Sequence, residues 1–219
     1  MLKTSVIVLS LLCSQMAPAW AQKGADQINI HGQVLTAARA GNAAAVQQLI
    51  AQGGSPNVRD RLGNSALNLA ATRGDEAMVD VLLAAQADVQ QPNLAGVTPL
   101  MGASFAARPA IVRKLLAAGA AIAPLDRVHK NAATYAAAQG CTDCLAALVE
   151  AGQSVDAPLD AGLTLLMWAA GQGHEDTVRW LLAHGADASR RDARGKRAAD
   201  IAADAGELQV AKRLQMEAH

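Results

Sequence analysis

"AGLTLLMWAAGQGHEDTVRWLLAHGAD", residues 161–187, contains two short apolar runs, each followed by glycine. The first, Leu165–Ala170, is closed by Gly173, and the second, around Leu181, by Gly185. Glycine takes the left-handed turn that other residues avoid, so the stretch reads as two helices punctuated by turns. Neither helix is long enough to be stable alone. The polar turn ahead of them, with Asp160 and Gly162, suits a tight hairpin.

The same pattern recurs along the chain. Asp60, Asn93, Asp126, Leu159 and Asp192 are spaced by 33 residues. Three residues after each stands Gly63, Gly96, Gly162 or Gly195, with His129 the exception. Apolar runs follow at Ala66–Ala71, Pro99–Ala103, Ala132–Ala137, Leu165–Ala170 and Ala198–Ala203. Leu82, Leu115, Leu148, Leu181 and Leu214 then fall in register on the second segment. A period of this length means stacked units that bury a continuous core, with polar outer faces on the end units.

On these residues the chain resembles the ankyrin-repeat family over roughly residues 27–219. The copies at 95–120 and 161–187 match the family's G-x-T-P-L-H-x-A-A…V…L-L…G-A-D pattern best. The histidine of that pattern is replaced throughout, by Asn68, Met101, Thr134, Met167 and Asp200. The unit at 126–158 departs furthest, lacking the hairpin glycine and the Thr-Pro pair. The resemblance implies an all-α solenoid of about six 33-residue helix-turn-helix units joined by short hairpin loops. Residues 22–59 form a linker and N-terminal capping repeat, 60–191 four repeats, and 192–219 a C-terminal capping repeat. That last unit carries Lys196, Arg197, Asp200, Asp204, Glu207, Lys212 and Arg213, the polarity a cap requires.

The N-terminus reads as a secretory signal. Lys3 precedes an apolar stretch, Val6–Cys13, and Ala19-Trp20-Ala21 is a small-x-small cleavage site. The apolar stretch is too short to span a bilayer. Leu12 is too large for a lipoprotein signal ending at Cys13. Residues 1–21 are therefore expected to be removed, leaving a periplasmic protein that begins at Gln22, with no membrane attachment. The whole chain has 19 basic and 19 acidic side chains. No basic pole stands out, which argues against nucleic acid as a main partner.

Cys13 leaves with the signal, so Cys141 and Cys144 remain, an even pair in an oxidising compartment. In the repeat register Cys141 starts a second helix and Cys144 points into the core. Residues three apart at a helix start lie within disulfide reach. A local disulfide is the leading expectation. Two reduced packing thiols, a thiol-disulfide enzyme and half of a zinc site are the alternatives. The enzyme reading lacks a thioredoxin-like βαβ unit and a substrate cleft. Zinc lacks two further ligands, since the nearest histidine, His129, is twelve residues away.

No other chemistry is patterned. His31, His129, His174, His184 and His219 show no metal-ligand spacing, and the glycines are repeat punctuation, not a phosphate loop. His174 reads as structural, and His184 stands near a helix end. No catalytic residue, cofactor or metal is expected. Tyr135 and Trp168 share one position on successive first helices, and with Trp180 they read as core.

Ankyrin proteins bind through hairpin tips and the facing side of the first helices. Carried onto this chain, that rule names Arg61, Leu62, Leu94, Val97, Arg127, Val128, Lys130, Leu163 and Arg194 at the tips. On the helices it names Arg73, Phe105, Gln139 and Gln172. Apolar groups rimmed by charge mark interaction sites. The resemblance thus implies a non-enzymatic scaffold, a monomer or weak oligomer, that protects, inhibits or assists a protein partner. The alternative of a different kind is a structural subunit of a stable complex.

Overall fold

The computed structural model describes residues 30–217; the signal segment and the residues immediately after it lie outside them. Among the described residues, twelve α-helices follow one another in six pairs: α1 (30–39) with α2 (Ala43–Ala51), α3 (Ala66–Arg73) with α4 (Glu76–Ala84), and α5 (Pro99–Phe105) with α6 (Pro109–Ala117). The second half repeats this with α7 (Ala132–Ala138) and α8 (Thr142–Glu150), α9 (Leu165–Gly171) and α10 (Glu175–Ala183), then α11 (Ala198–Asp204) and α12 (Leu208–Glu217). From α3 onward the odd-numbered helices form one layer, and the even-numbered helices from α2 onward form another.

Small residues make this stacking possible. The first helices bury Ala66, Ala70, Ala103, Ala136, Ala169 and Ala202, which let neighbouring backbones approach. The second helices supply the bulk. Leu82, Leu115, Leu148, Leu181 and Leu214 are all inaccessible to solvent or nearly so. A fully buried leucine contributes about 1.5–3 kcal/mol.

Caps fix where the short helices begin. Ser65, Thr98, Asn131 and Thr164 each accept a hydrogen bond from the backbone N–H three residues on. Asn131 thus does for the degenerate unit what threonine does elsewhere. The residues standing in for the family's histidine work at the same helix starts. Asn68 accepts from the Ser65 N–H at 3.0 Å and donates to the Val97 carbonyl of the next hairpin at 3.2 Å. Asp200 accepts from the Arg197 N–H.

Four of the five hairpins are each wound on one side-chain oxygen. Asp60 Oδ1 accepts from the N–H groups of Leu62 and Asn64, and Asn93, Asp126 and Asp192 repeat the arrangement. His129 takes φ 58°, where the other hairpins place glycine, so the unit at 126–158 keeps its turn. The hairpin at Leu159 is the different one. It lacks the side-chain acceptor and tightens into a 3-10 turn over Asp160–Gly162, with Ala161 also left-handed. Successive hairpins are tied by single backbone bonds, Leu94 N–H to Leu62 O, Arg127 N–H to Ala95 O and Ala193 N–H to Ala161 O. The corresponding Asp160 N–H finds no acceptor among the described residues.

Candidate binding surface

Hairpins and first helices share one face, and three apolar tips project from it. Leu62, Leu94 and Val128 are 68%, 55% and 63% exposed, which no core requirement explains. Arg61 and Arg127 stand beside them, exposed and without a carboxylate partner among the described residues. Asp60 is engaged by Arg39 at 3.0 Å as well as by its own hairpin amides. Burial works to raise its carboxyl, but the bonds from Asn64, Arg39 and Leu62 outweigh that and hold it below the usual range.

Behind the tips runs a strip of rings. Phe105, half-exposed at the end of α5, meets Tyr135 of α7 edge to face, with centroids 5.7 Å apart. Lys130 Nζ lies 5.7 Å from the Tyr135 ring centre and 4.5 Å from that of Trp168 on α9, within cation–π range of both. The Tyr135 hydroxyl donates to Asp126 Oδ2. Burial, then that bond and the carboxylate charge, push its phenol far above the usual value, so it stays a donor. Tyr135 and Trp168 are therefore not core residues. They are half-buried, with one side on the core and one on this face. Trp180 is half-buried as well and stacks on His184, with centroids 3.8 Å apart.

The other predicted residues divide. Val97, Arg73 and Phe105 line one pocket of about 410 Å³ together with Tyr135. Arg73 also donates to the Arg39 carbonyl of the preceding unit at 2.5 Å. Gln139 and Gln172 are exposed caps at the ends of α7 and α9. Leu163 is only half-exposed and packs on the core, so it is a weak contact residue. Arg194 folds onto Asp192 of its own hairpin at 2.7 Å and braces the turn. Sequence reasoning missed Asn68, Asn93, Met101 and Gly102, which complete the pocket. One signal for them was available: Leu69, Gly102, Tyr135, Trp168 and Ile201 share one register position, and Gly102 alone has no side chain.

Away from this face, Cys141 and Cys144 have Cα atoms 5.2 Å apart and sulfurs in bonding contact at the start of α8. Cys144 is fully buried and Cys141 nearly so. Among the described residues, no group of three or more His, Cys, Asp or Glu side chains is placed to hold a metal ion. Nor is any helix there long and apolar enough to cross a membrane.

The fold and its repeat chemistry agree with the comparisons. The family model described as "Ankyrin repeats (3 copies)" matches residues 34–126 and again 133–219. The solved structure of EF0377, an ankyrin repeat protein, superposes with a TM-score of 0.76 at 27% identity, over 84% of this chain and 97% of that one. Among curated relatives, the ankyrin repeat and KH domain-containing protein mask-1 of Caenorhabditis elegans is 32% identical over 60% of this chain and 5% of its own length. The potassium channel AKT2/3 of Arabidopsis thaliana is 30% identical over 73% of this chain and 20% of its own length. The B-cell lymphoma 3 protein of Homo sapiens is 30% identical over 63% and 32%. The chain thus spans a third or less of each of these relatives, and their whole-protein activities are their own. The family model covers both halves of the chain with repeats of a kind that serves as a scaffold for protein–protein interaction, and this chain belongs to the ankyrin-repeat family.

Proposed function

We propose that the chain is exported to the periplasm and binds a protein partner there through its concave face, without catalysis, to protect, inhibit or assist that partner. One observation carries the reading: Leu62, Leu94 and Val128 are exposed on hairpins of the face that carries the rings of Phe105, Tyr135 and Trp168, with Arg61 and Arg127 beside them. Apolar groups with cationic neighbours on one face match the anatomy of an interaction surface, where aromatic anchors carry most of the affinity.

The Cys141–Cys144 pair is taken to be a local disulfide in that compartment. A thiol-disulfide enzyme needs a sulfur that a substrate can reach. Cys144 is fully buried and Cys141 is 8% exposed, which favours a staple over an active site.

The test is affinity capture from native periplasm. The Phe105→Ala, Leu94→Ala double variant is expected to lose the captured partner while keeping its helical circular dichroism. Undiminished capture would rule out this face. Mass analysis of the exported protein checks the compartment, with Gln22 expected as its first residue.

A further inference from the structure

Gly102 occupies the register position that holds Leu69, Tyr135, Trp168 and Ile201 in the other units. A side chain there would project from α5 toward α3, where even a Cβ would meet Thr72 Oγ1 at 2.5 Å. Thr72 thus takes the space beside the glycine backbone, and the bare Gly102 forms part of the lining of a pocket of about 410 Å³ between the two helices. Met101 and Gly102 form the floor, and Leu69, Phe105 and Tyr135 line the sides. Asn64 and Asn93 close the hairpin end, joined to each other by a 2.9 Å hydrogen bond. The volume is at the low end for small-ligand pockets, about 300–1000 Å³, room for one large side chain with its flanking backbone.

The charge around the pocket is one-sided. Arg73 lines the pocket and has no carboxylate partner among the described residues, and Arg61 and Arg127, also unpaired there, stand exposed on hairpins of the same face. The nearby carboxylates are engaged: Asp60 by Arg39, Asn64 and hairpin amides, Asp126 by the Tyr135 hydroxyl and hairpin amides. An occupant with carboxylates beside an apolar anchor satisfies both features, whereas a basic segment is repelled.

We infer that the pocket lined by Gly102 takes one large aliphatic or aromatic side chain from an acidic segment of the partner. The inference rests on the protein-binding reading above and names the chemistry of what is bound.

The test uses a random dodecapeptide display library selected on the mature chain, with enriched peptides then synthesised and titrated by fluorescence anisotropy. Enriched peptides are expected to share a single Leu, Met or aromatic residue flanked by Asp or Glu. Gly102→Leu, which copies Leu69, is expected to weaken them at least tenfold with the melting transition retained. Arg61→Glu with Arg127→Glu is expected to do the same. Because Thr72 must turn aside for Gly102→Leu to fold, Phe105→Ala serves as a second variant that removes a wall instead. Peptides lacking an apolar anchor or carrying basic flanks, or the enrichment of none, would overturn the inference. So would peptides that bind Gly102→Leu or Phe105→Ala as tightly as the parent. If such peptides are instead lost on Leu62→Ala with Val128→Ala, the pocket fails but the face still binds. Peptides indifferent to all these changes sink the protein-binding reading as well.

Discussion

His174 Nε2 lies 2.9 Å from the carbonyl oxygen of Ala138, and the same ring lies over Gly140 so closely that a Cβ there would stand 2.6 Å from Nδ1. One histidine thus ties α10 to the end of α7, across the turn that opens α8. Gly140 also has φ 68°. Gly140→Ala therefore meets two penalties. The left-handed backbone alone costs about 1–2 kcal/mol, and His174 cannot swing away without releasing Ala138. Urea unfolding is expected to show a loss beyond that range. Adding His174→Ala is expected to return part of it.

Ala107 provides the opposite case. It stands where Gly41, Gly74, Gly140, Gly173 and Gly206 stand in the other units, yet it is held at φ 51°. It is exposed, and its side chain has no packing to lose. Ala107→Gly is expected to raise stability by about 1 kcal/mol, the relieved strain less the added freedom of the unfolded chain. Chemical denaturation with an unchanged slope would check it.

Asp60 allows a test of acid sensitivity with an internal control, because Asn93 winds the same turn with a neutral amide. The Asp60 carboxyl is held below its ordinary value, against burial, by bonds from Asn64, Arg39 and Leu62. A depressed native pKa adds stability above the unfolded value, about 3.9. That stability is lost as pH falls through the native one. Asp60→Asn is expected to keep the hairpin but flatten the decline in melting temperature below about pH 4. An unaltered decline would place the acid sensitivity elsewhere, for instance at Asp192, whose carboxyl is also held low.

For the cysteines, alkylation of the native periplasmic protein without reductant is expected to label neither sulfur, and after reduction both. The constraint lost on replacing Cys141 and Cys144 by serine is worth at most about 2 kcal/mol, since so small a loop constrains the unfolded chain little, and the hydroxyl buried at Cys144 adds its own cost. The parent protein is expected to reduce insulin no faster than this variant.

Much of the fold was legible because a period converts sequence position into depth. The five leucines from Leu82 to Leu214 were in register, and all five are buried. The caps at Ser65, Thr98 and Thr164 were not singled out by the repeat pattern, although they are local chemistry. The binding face was legible only in part. Leu163 was expected at an exposed tip, but it shares its register position with Val97, and both are half-buried against the core. Arg194 was expected to be free, yet the nearest carboxylate is two residues away. Tyr135 and Trp168 were assigned to the core because their position is usually apolar. What they meet on this face, Phe105 for Tyr135 and Lys130 for Trp168, comes from the preceding unit.

The missing bond at Asp160 bears on how such an array yields. Units stacked in a line share stability with their neighbours alone. Along the hairpin edge, the residues before Asp160 and those after it are each stitched by backbone bonds, while the step between them rests on helix packing and on two side-chain contacts, His129 to Asp160 at 3.6 Å and Lys130 over Trp168. The protein is thereby scored across its width, and thermal breathing has a preferred fold line. A partner lying along the whole face would span that line and act as a splint.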